Sequence, residues 1–233
     1  MKILGIDAST QTAGVAIIEN EVLKGEIIVN NDITHSQKLM VIIDQIFKNL
    51  DMTLGEIDGI AVTIGPGSFT GVRIGMATAL GLSRAEDIPI AGISTLESLA
   101  MNNKGFSGII CPMQDARRNQ IYTAFFEFEG EELIRLAPDM AISIDEFIDK
   151  VDKYDKSILL AGPDAGKFYD NIKNAADKDI QLVAFNLGLP RPSSLAYVSR
   201  NREFGKTIKP NYVRKSQAET SYEEIHGKSV FND

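Results

Sequence analysis

The stretch 70–85 reads as a helix that is apolar almost all the way round, and that segment limits the folds open to the chain. Stepping about 100° per residue from Gly71, Val72, Ile74 and Leu82 with the small residues Gly75, Thr78, Ala79, Gly81 and Ala85 cover most of the circumference. Its only charges, Arg73 and Arg84, fall close together on one side, with Met76, Ala77 and Leu80 between and beside them. Such a helix needs cover on nearly every side. The ridges Gly71/Gly75/Ala79 and Ala77/Gly81/Ala85 permit close backbone approach. One side can rest on a sheet of the same lobe. The remaining strip of Met76, Ala77 and Leu80, rimmed by Arg73 and Arg84, has the make-up of a protein interface. The other reading is a helix buried wholly by its own chain, with the preceding helix as cover.

The pattern around this helix is that of an α/β protein with mixed sheets. Lys2–Ile6, Gly14–Glu19 and Val22–Val29 are strands separated by polar turns. A helix follows from a cap at Thr34 or Ser36 to about Leu50, its apolar stripe made of Leu39, Met40, Ile42, Ile43, Ile46, Phe47 and Leu50. Strand 57–64, the helix above, a strand near Ile90 and a helix 95–101 complete the first half. Asn102-Asn103-Lys104-Gly105 is a polar, turn-prone boundary. The second half repeats the plan, with strands 108–113, 120–128 and 133–136, helix 144–151, strand 157–161, helix 165–174, a short strand 181–184 and helix 193–204. Two related lobes, 1–104 and 105–218, are expected, followed by a polar tail 219–233.

At 233 residues the chain suits one large domain or two small ones at roughly 150 residues each. The net charge of −8 argues against an autonomous nucleic-acid binder. Residues 1–100 hold 6 basic and 12 acidic side chains, whereas 191–215 gathers Arg191, Arg200, Arg202, Lys206, Lys209, Arg214 and Lys215 against Glu203 alone. That stretch is either a solvated face or a contact for phosphate or RNA. Cys111 is the only cysteine, which excludes an intrachain disulfide and a multi-cysteine metal cage. An acid at position 7 disfavours a signal peptide, and no apolar run approaches a membrane span, so a cytoplasmic protein is expected.

Three motifs bear on chemistry. Asp7-Ala8-Ser9-Thr10 lies in a tight turn, where a carboxylate and hydroxyls can meet phosphate and a divalent ion, or simply make the turn. Gly65-Pro66-Gly67-Ser68-Phe69-Thr70-Gly71 links a strand to a helix start and can hold an anion or serve close packing; it lacks the lysine of a P-loop. Asp115, Arg117 and Arg118, after a strand end, suit either a polar cluster or plain Asp–Arg pairing on the surface. Neither a His-x-x-x-His pair nor G-x-S-x-G occurs, so a transition-metal site and a serine hydrolase are both poorly supported.

Ile3–Thr10, His35-Ser36, Gly65–Gly75, Asp115-Ala116-Arg117 and Pro210-Asn211-Tyr212-Val213-Arg214 together resemble the TsaB (YeaZ) family over nearly the whole chain. The resemblance implies the ASKHA fold of actin, Hsp70 and sugar kinases, with two duplicated lobes. It further implies a subunit of the bacterial machinery that makes N6-threonylcarbamoyladenosine in tRNAs reading codons that begin with A. In that machinery TsaD performs the transfer and carries a His-x-x-x-His metal pair, and TsaE is an ATPase. Here His35 is followed four residues on by Leu39, so the second ligand is missing and the chain is not expected to catalyse. The family's use of helices 35–50 and 70–85 for homodimers or the TsaD heterodimer adds His35, Leu39 and Ile43 to the interface residues. No cofactor is expected of the chain itself, ATP with magnesium belonging to the complex, and tRNA is met through that complex. The rival is an ATP-binding or ATP-hydrolysing enzyme of the same fold, using Asp7, Ser9 and Thr10.

Overall fold

The computed structural model describes residues 1–30 and 35–214, with side chains in the first helix from residue 38 onward. The expected tail 219–233, Lys215 and the side chain of His35 lie outside the described residues.

Strands β1 (Lys2–Asp7), β2 (Thr12–Glu19) and β3 (Val22–Asn30) form an antiparallel meander. Helix α1 (His35–Asn49) leads to β4 (Gly59–Thr63), which pairs parallel with β1. Helix α2 (Phe69–Ala85) leads to β5 (Ile90–Ile93), parallel with β4, and α3 (Thr95–Met101) follows. The second half runs β6 (Ile109–Arg117), β7 (Gln120–Glu129), β8 (Glu132–Ser143), α4 (Ile144–Val151), β9 (Ile158–Ala161), α5 (Ala165–Ala175), β10 (Ile180–Leu182) and α6 (Pro192–Ser199). The five-stranded sheets are ordered β3-β2-β1-β4-β5 and β10-β9-β6-β7-β8. Reversed, the second order is the first shifted by five strands, so the topology is duplicated.

Alternation along β1 places Leu4 and Ile6 on one face and Ile3 on the other. The first pair meets α1 and α2 through Leu39, Ile42, Ile43, Ile46, Val72 and Met76. Ile3, with Ile18, Ala61 and Ile93, meets Leu195, Ala196 and Val198 of α6. Leu96 and Ala100 of α3 in turn pack with Ile110, Ala124 and Phe126 of the second sheet. The third helix of each half therefore covers the sheet of the other half, and α3 and α6 touch between them.

Three elements differ from the sequence expectation. The strand expected at 108–113 runs on to Arg117, so Asp115 and Arg117 lie within β6 and not after it. The strand expected at 133–136 extends to Ser143, straight through Pro138. β8 is an edge strand, and the β7 register shifts between Thr123 and Phe125, opposite that proline, so its missing N–H breaks no regular pairing. The helix expected to reach Phe204 stops at Ser199. Beyond it the chain crosses to the first sheet: Phe204 joins the cluster around Ile3 and α6, and Gly205 exchanges backbone hydrogen bonds of 2.8 and 2.9 Å with Ile90.

Candidate partner-binding face

The hydroxyls of the β1–β2 turn bond within it. Asp7 and Ser9 are buried. Ser9 donates both its backbone N–H and its hydroxyl to Asp7 Oδ1, each at 2.8 Å. The Thr10 and Thr12 hydroxyls are 2.9 Å apart, and the Thr12 N–H donates to Thr10 Oγ1 at 3.2 Å. The glycine loop lies over this turn. Ser68 N–H donates to the Ser9 carbonyl at 2.7 Å, and a Cβ at Gly67, whose φ is +155°, would fall 2.2 Å from that same oxygen. A Cβ at Gly71 would fall 2.0 Å from the Ala8 carbonyl. Of the two readings of the loop, close packing is the one built here. Ser68 itself caps α2, accepting from the Gly71 N–H at 3.2 Å. The Ser9, Thr10 and Thr12 hydroxyls are thus engaged within the turn, and the backbone of the glycine loop lies against the Ala8 and Ser9 carbonyls.

Helix α2 is covered on one side only. Gly71, Val72, Gly75, Met76, Ala79 and Ser83 are buried, whereas Thr70, Arg73, Ala77, Gly81 and Arg84 are exposed and Leu80 is half-buried. Met76, expected on the uncovered strip, is instead 7% exposed in the first core, together with Leu39 at 1% and Ile43 at 2%. The physical reason is rotational: the sheet covers a slightly wider arc than expected and turns the free strip from Met76 toward Ala77 and Gly81. Beside it, α1 exposes Met40 and Val41, large apolar side chains, with the paired Asp44 and Lys48. The periodicity had placed Met40 within the core stripe. Among the described residues no ion pair includes Arg73 or Arg84.

Arg73 has other company. Its Nε donates to the Tyr212 hydroxyl at 2.8 Å, and its guanidinium carbon lies 3.8 Å from the centre of the Phe69 ring. Phe69 and Tyr212 stack at 5.3 Å. The sequence offered one signal for Tyr212, the Pro210–Arg214 stretch, and none for Phe69 beyond its loop.

Four cations of the basic stretch are paired within the chain. Arg191 pairs with Glu26 at 2.6 Å, Arg200 with Glu21 at 2.9 Å, Lys206 with Asp87 at 2.7 Å, and Arg202 with Glu97. Arg214 donates to the Ala116 carbonyl at 3.0 Å. All four carboxylates lie in the acidic first hundred residues, which accounts for the charge asymmetry of the chain. Of the polar cluster, Asp115 pairs with Lys167, whose hydrogen bond is the main cause holding the carboxyl below its ordinary range. Burial pushes the Cys111 thiol well up, the condition of an inert packing cysteine. No helix among the described residues is long and apolar enough to cross a membrane.

The model of the family described as TsaD, tRNA N6-adenosine threonylcarbamoyltransferase, matches residues 29–222. The Bacillus subtilis tRNA threonylcarbamoyladenosine biosynthesis protein TsaB is 32% identical over 224 residues, covering 95% of this chain and 98% of the relative. The Escherichia coli protein of the same name is 31% identical over 57% of each chain. Among solved structures, YeaZ from Pseudomonas aeruginosa superposes with a TM-score of 0.74 at 21% identity, over 91% of this chain and 99% of that one. A ROK hexokinase from Thermus thermophilus reaches 0.50 at 10% identity, over 86% of this chain and 100% of that one. The duplicated sheets with exchanged third helices are thus the ASKHA fold, and the chain belongs to the TsaB family of tRNA threonylcarbamoyladenosine biosynthesis proteins.

Proposed function

We propose that this protein is a non-catalytic partner subunit in the synthesis of N6-threonylcarbamoyladenosine on tRNA. It binds TsaD through the outer face of α1 and α2, works with TsaD and TsaE, and pairs with itself when alone. The carrying observation is that face: Ala77 and Gly81 between Arg73 and Arg84 on α2, with Met40 and Val41 exposed on α1, the helix it touches. Small residues let a partner helix come close, and exposed large apolar groups gain by being covered. Two features support the absence of catalysis. Leu39, four residues beyond His35, is a core residue, and the hydroxyls of the β1–β2 turn are engaged within it. On this reading tRNA is reached through the complex, the chain acts in the cytoplasm, and ATP with magnesium is handled by its partners.

The test is reconstitution of the modification with TsaD and TsaE, with and without this chain, alongside Ala77→Glu. The reading expects modification to depend on the chain, and the variant to melt like wild type while losing TsaD binding. Full modification without the chain, or full binding by the variant, overturns it. Charging Met76 is not an equivalent test, because a buried ion there would unfold the core. Calorimetry with ATP and magnesium addresses the enzyme rival; sub-micromolar binding abolished by Asp7→Ala would favour it.

A further inference from the structure

Residues 200–214 run as a strap over the first sheet and end beside the α2 face. Phe204 packs with Ile3 and α6, Gly205 pairs with Ile90, and Ile208 packs against the first core. Asn211 is held twice: its N–H donates to the Ile64 carbonyl at 2.8 Å, and its side-chain amide donates to Asp139 Oδ2 at 2.7 Å. Arg214 is tied to Ala116 at 3.0 Å. Tyr212 stands between these two anchors, so its ring is delivered to a fixed place at the start of α2.

That place is where Arg73 needs support. Arg73 and Phe69 are one helical turn apart, and the guanidinium lies over the Phe69 ring while its Nε is bound by the Tyr212 hydroxyl. A long, entropy-rich side chain is thereby held in one position, and among the described residues neither Nη1 nor Nη2 makes a hydrogen bond, which leaves them as a parallel pair of donors. The exposed residues of α2 include two cations and no anion, Phe69, Thr70, Ala77, Gly81 and Ala85 being the others. A complementary surface must bring the negative charge. A phosphate chain is the poorer fit, because four cations of the basic stretch, Arg191, Arg200, Arg202 and Lys206, are already paired within the chain and only Lys209 and Arg214 of its described members are not.

We propose that Arg73, clamped by Phe69 and Tyr212, anchors the α2 face by pairing with a carboxylate on the protein partner, and that Tyr212 is its positioning residue. This rests on the partner reading given above. The test is calorimetric titration of TsaD into wild type, Arg73→Ala, Tyr212→Phe, the double variant and Ala77→Glu, at low and high salt, with a thermal melt of each and tRNA retention by the free chain. Arg73→Ala should weaken binding by about 30-fold or more and flatten its salt dependence. Tyr212→Phe keeps the ring and loses the hydroxyl, and should weaken binding by about threefold to tenfold. In the Arg73→Ala background the same change should do nothing further. Binding by Arg73→Ala within about twofold of wild type, with Ala77→Glu inactive, overturns the anchor and leaves the α2 face standing. An equal effect of Tyr212→Phe with and without Arg73 overturns the positioning role. Loss of tRNA retention without loss of TsaD binding in Arg73→Ala overturns the choice of a carboxylate. Binding unaffected by Ala77→Glu and Arg73→Ala alike, or absent in wild type, overturns this inference and the partner reading together.

Discussion

Gly71 and Gly75 are one turn apart on α2 and face the same Ala8, yet they answer to different physics. A Cβ at Gly71 would sit 2.0 Å from the Ala8 carbonyl oxygen, which is backbone and cannot swing aside. A Cβ at Gly75 would meet the Ala8 Cβ at 3.5 Å and Val62 Cγ2 at 3.8 Å, ordinary contacts. Gly71→Ala should therefore destabilise by about 1–3 kcal/mol through forced overpacking. Gly75→Ala should be neutral or stabilise by up to about 1 kcal/mol, since alanine is the better helix former. Thermal melts of the two variants read this as shifts of opposite sign. Both glycines looked alike as members of one small-residue ridge, because helical period reports direction and not distance. Asp115 offers a second residue-scale prediction. Its hydrogen bond with Lys167, then that from the Arg117 N–H, lowers the carboxyl's pKa in the folded chain. A lowered carboxyl contributes stability that is present above its unfolded pKa and is lost as pH falls through the folded value. Lys167→Met should raise the Asp115 titration midpoint in an NMR pH series and make stability less sensitive to acid over that window. An unchanged midpoint would show that Lys167 is not the cause.

At the scale of elements, α6 is held at its start by a single carboxylate on another strand. Glu26 of β3 accepts from the Ser193 N–H at 2.9 Å and from the Ser193 hydroxyl at 2.5 Å through Oε1. Through Oε2 it accepts from Arg191 Nη2 at 2.6 Å and Nε at 3.2 Å. A carboxylate at a helix N-terminus also suits the helix dipole. Its side chain is only 8% exposed, so the bonds are poorly replaced by water. Glu26→Ala should cost about 1–3 kcal/mol, because the Ser193 donors lose their acceptor while Arg191, 39% exposed, can turn to water. The measurement is denaturant unfolding, and a loss below about 1 kcal/mol would mean the pair behaves as a surface one. None of this cap was legible from sequence, where Arg191 belonged to a basic run of uncertain use and Glu26 to an ordinary strand. The elements themselves were legible where the pattern was local: α4 begins at Ser143, which shares a capping box with Glu146, as its sequence suggests. They were illegible where tertiary contacts decided the ends, as in β8 crossing Pro138 and α6 stopping before Phe204.

The duplication of the molecule is a repeat of local patterns, and the sequence order β-β-β-α-β-α-β-α displays it. What joins the halves is not local. The apolar side chains of α3 and α6 carry no mark of which sheet they will cover, and each covers the sheet of the other half. Further ties cross the same seam: Arg135 of β8 reaches Glu97 of α3 at 3.3 Å, and Ser94 donates to Asp139 of β8 at 2.7 Å. A division at residue 104 separates the strands of the two sheets but strips α6 from the first and α3 from the second. The first fragment would then leave Ile3, Ile18, Ala61 and Ile93 facing water, and the second would bare Ile110, Ala124 and Phe126. Each such side chain forgoes roughly 1.5–3 kcal/mol of burial for the larger residues, enough in sum to exceed the few kcal/mol by which a small domain is stable. Fragments 1–104 and 105–233, expressed separately, should therefore lack a cooperative melt and aggregate, whereas the two together should recover soluble, melting material. The intact chain should unfold in one transition when followed by far-ultraviolet dichroism and by the environment of its tyrosines. A cooperative melt of fragment 1–104 alone would show that the first sheet does not depend on α6, and the exchange of helices would be ornament to two independent lobes rather than the bond between them.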